Sequence, residues 1–94
     1  MQEQYIQAEE AFREVLSRNP DNFAAAENLV QILFAQGGHA EAVNVIGTFC
    51  HDDGPPSAWL WRARNHMAVR RYADAVADYQ RVLRHSADDP GLQF

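Results

Sequence analysis

The residues of this 94-residue chain best suited to chemistry stand together at Cys50-His51-Asp52-Asp53, with His39, His66 and His85 elsewhere. A thiol next to an imidazole suggests nucleophilic catalysis, and the same residue types are metal ligands. Neighbouring side chains on a helix diverge by about 100°, so Cys50 and His51 would not face each other. Zinc sites use paired ligands at set spacings, such as C-x2-C with a distant second pair, and the chain has only one cysteine. Neither a metal site nor a cofactor site is therefore expected. Cys50 reads as a small buried hydrophobe, and His51 as a favourable charge at the negative end of a helix. There is no glycine-rich phosphate loop, and no nucleophile, base and orienting group stand in a pattern that would require convergence, so no catalytic residue is assigned.

With catalysis set aside, composition limits the partners. The formal net charge is −5, which argues against nucleic acid, because phosphate binding needs a basic face to release counterions. Six of the eight basic residues, Arg62, Arg64, Arg70, Arg71, Arg81 and Arg84, fall in the C-terminal third, where they read as solvated helix faces or as a site for an acidic partner. No apolar run approaches the roughly 20 residues that cross a bilayer, and the N-terminus lacks a signal-peptide plan. A soluble fragment without membrane insertion is expected. Compartment stays open, since one cysteine suits a reducing cytosol or a cysteine-poor periplasm.

The elements come next. AEEAF (8–12), AEAVNVI (40–46) and YADAVADY (72–79) each place an alanine four residues before a large apolar residue: Ala8 and Phe12, Ala42 and Ile46, Ala75 and Tyr79. The alanines are 34 and then 33 residues apart, a period of stacked helix hairpins. Ahead of Ala42, residues 23–36 carry Ala26, Leu29, Val30 and Leu33 as one helical stripe. Asp21 or Asn22 would cap its start, and Gly37-Gly38 its end. A second helix is expected over 39–51, a third over 57–69 opened by Pro55, Pro56 and Ser57, and a fourth over 71–85. Residues 5–18 read as a further helix in front.

These residues resemble the tetratricopeptide signature W-x2-L-G-x2-Y…A-x3-F…P. Trp59 stands at the tryptophan position and Ala63 at the small one. Asn28, Leu29 and Gly37 match in the middle repeat, and Tyr5 and Tyr72 match the aromatic that opens the second helix. Ala26 replaces the tryptophan in the middle repeat and Val30 a small residue. Arg62 and His66 stand where leucine and tyrosine are usual. Pro20 is in register; Pro55 and Pro90 are one and three residues late.

The resemblance implies an all-α fold of about five helices, antiparallel hairpins stacked as a short right-handed superhelix. The implied division is a partial repeat at 1–22, full repeats at 23–55 and 56–89, and a tail or further opening at 90–94, a piece of a longer array. Leu29, Leu33, Trp59, Val82 and Leu83 would complete the core. The first helices would line a concave groove for a protein or peptide, which makes Glu27, Asn28, Gln31, Phe34, Leu60, Trp61, Arg64 and Met67 the candidate contacts. Trp61 is either an anchor for the partner or a packing residue. A lysine, arginine and asparagine clamp for a C-terminal carboxylate, found in some relatives, keeps only Asn28 here, with Ser57 and Trp61 in the cation positions. Alternatives are a self-assembly module, using apolar surface near Phe12, and a regulatory or substrate-presenting arm of a larger enzyme or secretion complex.

Overall fold

The computed structural model describes the backbone of residues 2–88 and the side chains of residues 4–84. The expected tail at 90–94 and the side chain of His85 lie outside them. Five α-helices follow one another: α1 (Gln2–Arg18), α2 (Phe23–Ala35), α3 (His39–Gly47), α4 (Pro56–Ala68) and α5 (Tyr72–Asp88). Each packs on its neighbours in sequence, and α2 also meets α4. The result is a slab of 40 × 28 × 20 Å built from local contacts.

The caps explain where the helices stop and start. Asn22 Oδ1 accepts the Ala25 N–H at 3.1 Å and satisfies a free donor of the first turn of α2. At the other end Gly37 has φ = +79°. The Gly38 N–H reaches the Leu33 carbonyl at 2.7 Å and the Gly37 N–H reaches that of Phe34 at 3.1 Å, a left-handed cap that turns the chain back. The end of α4 repeats this geometry one period later. Arg71 N–H bonds to His66 O at 2.8 Å and Arg70 N–H to Met67 O at 3.1 Å. The residue at the left-handed position is Arg70, with φ = +64°, where an L side chain is strained.

The second expected helix is shorter than its pattern suggested. α3 ends at Gly47, and the chain continues in tight turns in which the N–H groups of Phe49 and Cys50 bond back three residues to Ile46 and Gly47. This turn drives Phe49 into the core, edge-on to Phe23 at 5.2 Å. Gly54 seals it: a Cβ there would lie 2.1 Å from the Phe49 carbonyl oxygen. His51 consequently sits exposed in a turn, and its expected place at a helix end does not hold.

Ala26, Leu29, Val30, Leu33, Ala42, Ile46, Phe49 and Ala58 form the main core, with Phe12, Leu16, Cys50 and Trp61 packed against it. Ala42 and Ala75 are wholly buried, which lets the helices approach closely. Leu83 corrects the expected core, because it is 57% exposed. Together with Tyr72 and Val76 it lies on a face of α5 that no described helix covers. Trp59 is half-buried between α4 and α5, flanked by the guanidinium groups of Arg62 and Arg81 at 4.9 and 4.8 Å from the ring centre.

Candidate partner-binding groove

α2 and α4 are the first helices of the two hairpins and meet side by side, so their outward faces share one surface. On it the Phe34 ring lies 6.1 Å from Trp61, edge to face, and 5.0 Å from His39 at the start of α3. The Arg64 guanidinium lies over the Trp61 ring, 5.0 Å from its centre. Phe34 and Met67 are exposed at 38% and 44%. Three elements thus present a continuous His39, Phe34, Trp61 and Arg64 series with an apolar residue at its edge.

Trp61 packs against the core cluster and remains partly open to solvent, so its ring is positioned by packing without being sealed from the surface. Its backbone is fixed as well. The wholly buried Asn65 donates from Nδ2 to the Trp61 carbonyl at 2.8 Å, and its Oδ1 accepts from His39 Nδ1 at 2.9 Å. That bond orientation assigns the Nδ1–H tautomer to His39.

The other candidates divide. Asn28 is exposed, but its Nδ2 donates to the Ala24 carbonyl at 2.8 Å, one turn earlier. Asn28 and Gln31 line a cleft of about 230 Å³ with Tyr5, Phe12, Ile32 and Ala35. They therefore face α1. Leu60 lines an apolar hollow of about 290 Å³ with Tyr79, Val82 and Leu83, toward the open side of α5. Glu27 is half-buried on the α2 surface. Of the eight, Phe34, Trp61 and Arg64 are the three joined by direct ring and guanidinium contacts.

The largest feature missed from sequence lies behind this surface. Arg62 and His66, one turn apart on α4, converge on Asp78 of α5, which is 2% exposed. Asp78 Oδ1 accepts from Arg62 Nη2 at 2.8 Å, Oδ2 from Arg62 Nε at 3.1 Å, and Oδ2 also from His66 Nδ1 at 2.9 Å. The hydrogen bonds to Asp78 hold the Arg62 guanidinium above its usual pKa despite its burial. The two departures from the family pattern in α4 are thus a matched set, joined to a third inward polar residue on α5. Asp78 thus ties α4 to α5 through a buried carboxylate paired with two partners on the other helix.

Cys50 is half-buried, 3.6 Å from the Ile46 carbonyl, and desolvation raises its thiol pKa to about 11. At neutral pH it is a protonated, weakly reactive group. Among the described residues no three His, Cys, Asp or Glu side chains gather as a metal site would need, and no described helix is long and apolar enough to cross a membrane.

Paired antiparallel helices stacked in a row define a helical-repeat architecture, here with rings and a guanidinium displayed on one face. Comparison with known families gives the same class. Two family models, each described as tetratricopeptide repeat, match residues 1–49 and 52–94, and the chain belongs to the tetratricopeptide-repeat family. Repeats of this family generally mediate protein–protein interaction and are typically non-catalytic. Comparisons with individual curated proteins and with solved structures give no match.

Proposed function

We propose that the chain binds a peptide or protein segment on the concave side of α2 and α4, with Phe34, Trp61, Arg64 and Met67 as the centre of contact. Glu27, Asn28, Gln31 and Leu60 would then flank it. The observation that carries this reading is the Phe34–Trp61 ring pair, which bridges two helices, is braced from beneath by Asn65, and keeps an open edge. Rigid aromatic residues with adjacent arginine are the commonest anchors of binding energy. On this reading the chain is a non-enzymatic scaffold in which 23–55 and 56–89 act as repeat units. The 1–22 segment supplies the wall of the Asn28 cleft.

Panning a random 12-residue peptide library against the 94-residue protein tests this. Peptides should enrich on the wild type and lose binding to Trp61→Ala, with the helical circular-dichroism signal retained. Absence of enrichment, or enrichment indifferent to Trp61, contradicts it.

A second reading, self-association, is favoured by the exposed stripe Tyr72, Val76 and Leu83 on α5, spaced four and seven residues apart on one face. Sedimentation across a hundredfold concentration range, with Val76→Glu as control, separates it from the first.

A further inference from the structure

We infer that the groove selects a segment in which a carboxylate side chain directly neighbours an aliphatic or aromatic one, an inference that rests on the groove reading above. Arg64 is the cation of this surface. Its guanidinium lies over Trp61, and no carboxylate among the described residues pairs with it, whereas Arg13, Arg18, Arg62, Arg71 and Arg81 each have an acidic partner. Stacking uses the flat face of a guanidinium and leaves its in-plane N–H donors directed outward in a fixed fork, the geometry that matches a carboxylate through two parallel bonds. Because contact with the indole already limits where the Arg64 guanidinium sits, less side-chain freedom is lost when the ion pair forms.

The same ring sets the neighbour. Trp61 and Phe34 meet edge to face, and Met67, one turn beyond Arg64 on the α4 surface, is 44% exposed. An apolar side chain adjacent to the bound carboxylate would settle against these three and exclude water from the ion pair, which strengthens it. Glu27, the acidic residue on the α2 side, stands seven residues before Phe34, about 10 Å along the helix axis, so it does not neutralise this end. The chain is acidic as a whole, yet the charge displayed beside the rings is positive. Charge complementarity at that point favours an acidic segment over a basic or neutral one.

The test uses the peptides recovered from the library. Sequences bound by the wild type should be enriched in Asp or Glu directly beside Leu, Ile, Phe, Tyr or Trp. The best peptide, synthesised with blocked ends, should bind Arg64→Gln about tenfold more weakly, and its Asp→Asn or Glu→Gln counterpart should bind the wild type about tenfold more weakly. The second loss should vanish in Arg64→Gln, because the two changes remove the same ion pair. If peptides enrich through Trp61 but show no acidic preference, or if Arg64→Gln binds them unchanged, the groove reading stands and this inference fails. Loss of all Trp61-dependent enrichment overturns both. If instead Trp61→Ala dissolves a dimer seen in sedimentation, the occupant is a second copy of the chain and the inference is overturned.

Discussion

Asn65 is buried to zero exposure one helical turn after Trp61, and its amide joins the Trp61 carbonyl of α4 to the His39 ring of α3. The Phe34 and Trp61 ring pair therefore rests on a polar brace, and the brace can be removed. Asn65→Leu leaves the His39 donor without its partner and should destabilise the fold by about 2 kcal/mol. In urea unfolding it should lower the midpoint, and in the folded variant the Trp61 indole resonance should broaden. A midpoint equal to the wild type would show that the brace is not structural.

Asp78→Ala strips the acceptor from Arg62 and His66 together. Removing one partner of a buried ion pair costs about 3 kcal/mol, because a charge stays behind without its counter-ion. Arg62→Leu, His66→Leu and Asp78→Leu together should recover most of that loss, since an apolar set suits the same space. A triple variant as unstable as Asp78→Ala would mean that Asp78 acts through something other than this pairing.

Arg70 holds φ = +64° at the turn where the preceding repeat has Gly37 at +79°. Arg70→Gly relieves a strain of about 1 kcal/mol, and the melting temperature should rise by about 5 °C. The reverse change, Gly37→Arg, should lower it. A fall on Arg70→Gly would indicate that the arginine side chain contributes more than its backbone strain costs.

Cys50 gives a pH signature. Desolvation raises its thiol pKa from the ordinary 9.0 to about 11 in the folded chain, so the native state keeps its proton where the unfolded chain has released it. Stability from this source is present below pH 9 and lost as pH rises through 11. Between those limits the wild type should lose stability faster than Cys50→Ala, and iodoacetamide should label the native thiol more slowly than a free cysteine at pH 8.5. Parallel stability curves, or labelling as fast as a free thiol, would contradict the desolvation.

Helix periodicity and turn chemistry made most of the fold legible. The stripe Ala26, Leu29, Val30 and Leu33 is buried as its spacing implies, and Asn22 and Gly37 cap α2 as their types suggest. What escaped are features that depend on a neighbour. Arg62 and His66 stand out in the sequence only as departures from the leucine and tyrosine of the family pattern, and Asp78 carries no mark that joins it to them. Only the spacing of Asp78, three after Ala75 and four before Val82, marks it as inward, and its partners lie on another helix. The left-handed Arg70 carries no local signal, although the 33-residue frame places it opposite Gly37. Leu83 looked like core because its period is right, but exposure depends on which surfaces pack around it. Within the candidate groove the residues were found by face. Their division, with Asn28 and Gln31 turned toward α1 and Phe34 toward Trp61, follows from helix rotation and offset, which spacing alone does not give.

The central claim is that the Phe34, Trp61, Arg64 and Met67 surface takes up a partner segment. Its most direct test is titration of the isotope-labelled 94-residue protein with a library-derived peptide, read by amide and indole shifts. The account predicts saturable shifts concentrated on the α2 and α4 faces, largest at Trp61, with α5 residues Tyr72, Val76 and Leu83 unmoved. Shifts centred on the α5 stripe with a silent Trp61 indole would contradict it.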